Sequence, residues 1–131
     1  MPAERILVVD DVPINLKVVS LTLRAEGYEI QTAEDGVHAL EVLRAFRPDL
    51  VLADIQMPRM DGLEMTRTIR QDPNLRDLFI VALTAFAAKV NEQEALDAGF
   101  DAYLTKPVDV HTLRERVRGY LDRLKEVQMV R

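Results

Sequence analysis

The chain has 131 residues, the length of one ordinary domain, and a chain of this size buries roughly two-thirds of its unfolded surface. Lys+Arg 17 against Asp+Glu 22 leaves a net charge of −5, which argues against a nucleic-acid or anionic-membrane surface as the main function. There is no cysteine, so disulfides and thiolate metal sites are excluded, and 48% hydrophobic with 30% charged residues is a globular balance, not a disordered one. The start, Met1 to Arg5, leads into too short an apolar run for a signal peptide, and no run approaches the ~20 residues of a membrane span. The expected compartment is the cytoplasm.

Apolar runs of strand length alternate with amphipathic stretches. Ile6 to Val9 is an apolar run followed by two acids. Leu16, Val19 and Leu23 recur at helical spacing from about Ile14 to Ala25, and Gly27 closes that helix as a C′ residue. Tyr28 to Ala33 alternates like a partly exposed strand. Val37 to Phe46 reads as a helix, with Val37, Leu40 and Leu43 on one face. Pro48 forces an extended entry into Leu50–Ala53, which ends at Asp54. Gly62 to Gln71 is helical and is broken by Asp72-Pro73-Asn74. Phe79 to Leu83 is a third buried run, ending at Thr84. A helix over Lys89 to Ala98 stops at Gly99. Asp101 to Leu104 is a short strand ending near Lys106-Pro107. Asp109 caps a last helix to about Leu124 or beyond.

Five strand-then-helix units result. Continuous apolar strands mean burial on both faces, as in a parallel sheet, and right-handed crossovers place helices on both sides. The fold class is therefore α/β, a three-layer sandwich. Ligands of such sheets bind beyond the carboxyl ends of the strands. Asp10, Asp11, Asp54, Thr84 and Lys106 all fall there. The opposite edge offers Asp49 and Asp101, without this mixture of acids, hydroxyl and amine.

Three carboxylates on one rim repel: one pair at about 4 Å costs on the order of 4 kcal/mol at an effective dielectric of 20. The cluster must take up a proton, stay apart in water, or bind a cation. Oxygen ligands without His or Cys point to a hard ion, foremost Mg²⁺. Lys106 could neutralise one carboxylate directly. A hydroxyl and an ammonium beside such a site suit a phosphoryl group, and an Asp can accept one as an acyl phosphate. No Gly-x-x-x-x-Gly-Lys-Ser/Thr loop is present, so the phosphoryl group comes from another molecule rather than from a nucleotide held in a P-loop. Taken singly, each Asp here reads first as a cap or turn residue. Their coincidence at successive strand ends favours a site.

The ordered set Ile6-Leu7-Val8-Val9-Asp10-Asp11, Asp54-Ile55-Gln56-Met57-Pro58, Met60-Asp61-Gly62, Leu83-Thr84-Ala85 and Lys106-Pro107 resembles the receiver domain of the two-component response-regulator family. The resemblance covers about residues 5 to 124. It implies a flavodoxin-like (βα)5 sheet in order 2-1-3-4-5. It implies phosphotransfer to Asp54 from a sensor histidine kinase or a histidine phosphotransfer protein. Asp11 and Asp54 would hold Mg²⁺ through carboxylates, Asp10 mostly through water and Gln56 through its backbone carbonyl. Lys106 would pair with a phosphoryl oxygen, Thr84 would swing to the phosphate, and Tyr103 would be the switch aromatic. Lys106-Pro107 would carry a cis peptide bond, and Ala85 would be the small residue beside the phosphate.

Phe86 and Gln56 stand at positions variable in the family. Asn15 is read as a local cap of the first helix, His38 and His111 as surface residues, and Met57, Met60 and Met65 as packing residues. The implied partners are that phosphodonor and a downstream output protein or domain, or a second copy of the chain once phosphorylated, with no direct nucleic acid and no membrane. Such a domain promotes its own phosphotransfer and dephosphorylation but turns over no external metabolite. One rival is a Mg²⁺-dependent phosphohydrolase with an Asp nucleophile. Those enzymes usually carry a second acid two residues on, where Gln56 stands. The other is a phosphate-independent interaction module, which the five intact residues disfavour. The expected organisation is a receiver domain over residues 1–124 and a tail or connector over 125–131, with a stand-alone regulator preferred.

Overall fold

A computed structural model describes residues 3–84, 89–106 and 108–130. Five strands, β1 (Arg5–Val9), β2 (Glu29–Ala33), β3 (Leu50–Asp54), β4 (Phe79–Thr84) and β5 (Ala102–Thr105), alternate with five helices. These are α1 (Pro13–Arg24), α2 (Gly36–Val42), α3 (Gly62–Gln71), α4 (Lys89–Ala98) and α5 (Val110–Val130). All strand pairs are parallel and the order is β2-β1-β3-β4-β5.

The strand sequences explain their places. β3 is buried along its whole length, and β1 and β4 nearly so, because helices cover both faces of the central strands. The edge strands β2 and β5 alternate instead. Leu7, Val9, Val51, Ala53, Ile80 and Ala82 pack against α2, α3 and α4. Their neighbours in sequence, from Ile6 and Val8 to Leu50, Leu52, Val81 and Leu83, pack against α1 and α5. Period-two alternation thus splits one apolar strand between two cores.

Two helices differ from the periodicity. α2 ends at Val42, short of Phe46, because Arg44 N and Ala45 N turn back to the carbonyls of Glu41 and Val42 in tight i→i−3 bonds. Phe46 is still buried, so the apolar spacing that suggested a longer helix serves the core without one. α1 begins after Val12, and Asn15 does not cap it; no side chain does. Gly27 has φ +93 and lies two residues after the C-cap Ala25. α5 runs unbroken through residues 125–130, with Leu121 buried, Leu124 partly buried and Val127 exposed. Among the described residues, no helix is long and apolar enough to cross a membrane.

The sheet edge opposite the strands' carboxyl ends is fastened by charges. Asp49 Oδ2 accepts from Arg5 N at 2.8 Å, and Asp101 Oδ2 accepts from Ile80 N at 2.9 Å. The Arg70 guanidinium donates to the carbonyls of Gly99, Arg76 and Leu78 and to Asp101. It ties α3 to the starts of β4 and β5. Both acids that the sequence placed at this edge are therefore structural.

Thr66 Oγ1 is buried without a hydrogen-bond partner among the described residues, and Thr66 as a whole is 0% exposed. An unmade buried hydrogen bond is costly, and an apolar side chain of the same shape removes the cost. Thr66→Val is expected to stabilise the domain by about 1 kcal/mol. Urea unfolding checks this as a raised midpoint with an unchanged slope.

Candidate functional site

Register brings the acids together. Val9 pairs with Ala53, so the next residues, Asp10 and Asp54, lie side by side at the carboxyl edge. Asp54 pairs with Leu83, and Thr84 with Thr105, which places Lys106 one residue further along that rim. Asp10 and Asp54 are 2% and 9% exposed and Thr84 is 5% exposed, whereas Asp11 faces solvent. One oxygen each of Asp10, Asp11 and Asp54 lies within 4.8 Å of the others.

Lys106 holds the buried pair. Its Nζ donates to Asp10 Oδ2 and to Asp54 Oδ2, each at 2.9 Å. It thus bridges two carboxylates, where the sequence suggested it would neutralise one. The remaining oxygens meet backbone donors: Asp10 Oδ1 accepts from Val12 N at 2.9 Å and Asp54 Oδ1 from Gln56 N at 3.2 Å. Burial raises the Asp54 pKa, Lys106 opposes the rise, and the Asp10 charge reinforces it. Burial also works against the Lys106 ammonium, but its hydrogen bonds to Asp54 and Asp10 outweigh that and raise its pKa. Three carboxylates against one ammonium leave an uncompensated negative rim. The donors are all oxygen, a set that fits a hard divalent cation and suits no soft one.

The other predicted residues fall around this centre. Gln56 is exposed, just beyond Asp54. Tyr103 lies on β5, 36% exposed and paired with Ala82. Asn15 lines a groove of about 490 Å³ with Val18, Val19, Leu83, Asp10 and Lys106. His38 is half-buried, and its Nδ1 accepts from Glu34 N at 3.1 Å. His111 is exposed beside Glu115. Met65 is fully buried, and Met57 and Met60 pack partly against the core. Ala85, Phe86 and the Lys106-Pro107 peptide bond involve positions outside the described residues.

One pair was not legible beforehand. Arg59 Nε donates to Asp35 Oδ2 at 2.6 Å, linking the loop after Asp54 to the N-cap of α2. The signal available in sequence was weak: Asp35 reads as a helix cap, which it is, and Arg59 as a loop charge.

A five-stranded parallel sheet in this order, with acids and a lysine gathered at its carboxyl edge, defines a flavodoxin-like α/β domain with a charged site at the strand ends. The chain belongs to the response regulator receiver domain family, whose model matches residues 6–118, and it is accordingly a receiver domain of two-component phosphorelay signalling. It is 38% identical over 116 residues to the polar-differentiation response regulator DivK of Brucella anthropi, covering 88% of this chain and 94% of that one. A CheY-like receiver domain protein from Methanospirillum hungatei superposes with TM-score 0.87 at 30% identity, covering 95% of this chain and 98% of the other. The receiver domain of the Pseudomonas aeruginosa sensor histidine kinase PA1611 superposes with TM-score 0.84 at 34% identity, over 92% of this chain and 99% of that one. It has a magnesium ion coordinated in its active-site cleft.

Proposed function

We propose that Asp54 is the phosphoryl acceptor of this receiver, with Lys106 and Thr84 as its partners. The observation that carries the assignment is the Lys106 bridge: among the described residues, Asp54 is the carboxylate that ends the central strand, touches the amine and belongs to the acidic cluster. An Asp54 carboxylate oxygen attacks the phosphorus of a phosphohistidine. The P–O bond forms as the P–N bond breaks, the imidazole leaves, and an acyl phosphate remains. The residues fit Mg²⁺, which Asp11 and Asp54 would hold through carboxylates, Asp10 mostly through water and Gln56 through its carbonyl. When bound, it supplies charge neutralisation for the phosphoryl oxygens. Lys106 binds one phosphoryl oxygen, and the Thr84 hydroxyl moves to another.

The donor is a sensor histidine kinase or a histidine phosphotransfer protein, and the domain acts in the cytoplasm. It promotes only its own phosphotransfer and dephosphorylation. Phosphorylation adds roughly one negative charge at Asp54. Thr84 answers it, and Tyr103 on the adjacent strand moves inward behind Thr84. Leu96, Tyr103 and Val110 are exposed on α4, β5 and α5, which supports that face as the one read by an output protein or by a second copy of the chain.

Acetyl phosphate with Mg²⁺ is expected to add one phosphoryl group. Borohydride reduction of the acyl phosphate then leaves homoserine in place of Asp54, located by peptide mass spectrometry. Homoserine at another aspartate, or no label at all, rejects the assignment.

A further inference from the structure

The loop after Asp54, residues 55–61, carries the only side-chain-bearing residue with positive φ among those described: Arg59, at φ 63. That conformation is disfavoured for any residue with a Cβ. It holds where the surroundings over-determine it, and such positions gather at functional sites. Here the surroundings are visible. The Arg59 side chain is 61% exposed, yet its Nε meets the Asp35 carboxylate, which is 6% exposed. The next residue is fastened too, since Gly36 N donates to Met60 O at 2.9 Å. A Cβ at Gly36 would lie 2.6 Å from Met60 Cγ and 2.7 Å from Met60 O, so the loop is pressed against the start of α2.

This contact borders the acidic site. A cleft of about 320 Å³ is lined by Asp10, Asp11, Glu34, Asp35 and Pro58, among others. Asp10 and Asp11 come from the β1–α1 turn, Asp35 from the β2–α2 turn and Pro58 from the β3–α3 loop. The ion pair joins the second of these walls to the third. The same loop carries Gln56, whose backbone amide already contacts Asp54.

We propose that the Asp35–Arg59 ion pair is a strap that pre-organises the β3–α3 loop for binding a divalent cation at Asp10, Asp11 and Asp54, making Asp35 and Arg59 positioning residues. The proposal rests on the cation site inferred above. Without the strap, cation binding has to order the loop as well, and affinity falls by that ordering cost. Residues that orient metal ligands without touching the metal commonly change affinity by 10–100-fold. A role confined to capping α2 predicts something different. Asp35 caps through Oδ1, which accepts from His38 N at 2.9 Å, and Asn caps as well as Asp. Asp35→Asn therefore keeps the cap and removes the charge.

Calorimetric titration of the full chain with Mg²⁺ alone separates these cases. Asp35→Asn and Arg59→Ala are each expected to weaken binding roughly tenfold. The double variant is expected to bind no more weakly than either single one. Arg118→Ala, which breaks the Glu4 ion pair at the far edge of the sheet, is expected to keep wild-type affinity. Wild-type affinity in Asp35→Asn and Arg59→Ala, whatever their melting temperatures, overturns the strap, as do effects that simply add in the double variant. A wild-type chain that binds no Mg²⁺ overturns the cation site itself and the strap with it.

Discussion

Asp54→Asn is expected to abolish labelling by acetyl phosphate and, at neutral pH without Mg²⁺, to melt at a higher temperature than wild type. The first effect follows from chemistry, because an amide does not form an acyl phosphate under these conditions. The second follows from burial. The folded state holds the Asp54 proton more tightly than the unfolded chain, chiefly because burial penalises the carboxylate. This group therefore favours folding below its unfolded pKa near 3.9 and ceases to do so as pH rises through its higher folded value. Asparagine carries no charge to desolvate, and Lys106 keeps its bond to Asp10. The melting advantage is expected to grow from pH 4 toward pH 7 and to shrink when Mg²⁺ stabilises the wild type. Scanning calorimetry at the two pH values checks it. A variant less stable than wild type at pH 7 shows that the Lys106 bridge outweighs the burial cost of Asp54.

Gly62→Ala is expected to damage fold and site together. Gly62 opens α3, and its N–H donates to the Ile55 carbonyl at 2.8 Å. A Cβ there would lie 2.3 Å from the Asp54 carbonyl oxygen and 3.0 Å from Ile55 Cα. Both are backbone atoms and cannot rotate aside. The chain must shift at Asp54, the residue proposed to carry the acceptor carboxylate. Overpacking of this kind costs about 1–3 kcal/mol, which lowers the melting temperature by roughly 10 °C at the upper end. The phosphorylation rate is expected to fall further than stability alone explains, since Asp54 moves relative to Lys106. Gly119→Ala is the control. Gly119 is exposed on α5, among the described residues nothing lies within 4 Å of its Cβ position, and the substitution is expected to stabilise by roughly 0.8–1 kcal/mol through helix propensity. Wild-type stability and phosphorylation in Gly62→Ala would show that the loop yields without cost.

Much of this domain was readable from the chain. Apolar runs at 6–9, 50–53 and 79–83 announced central strands, because burial on both faces leaves no polar alternation. Asp10, Asp11, Asp54, Thr84 and Lys106 are legible because each lies at or just past the carboxyl end of a strand, and that edge of a parallel sheet collects such residues whatever their separation in sequence. The order 2-1-3-4-5 came from resemblance to the receiver family, since local periodicity carries no information about which strand lies beside which. Tertiary structure alone decided the rest. Whether Lys106 met one carboxylate or two depended on the register of β1, β3, β4 and β5. The short α2 arose because the core accepts Phe46 from a turn as readily as from a helix. Arg70 and Asp101, and Arg59 and Asp35, pair across 31 and 24 residues. Ion pairs of that span leave no periodic trace in sequence, because their geometry exists only once the elements have packed.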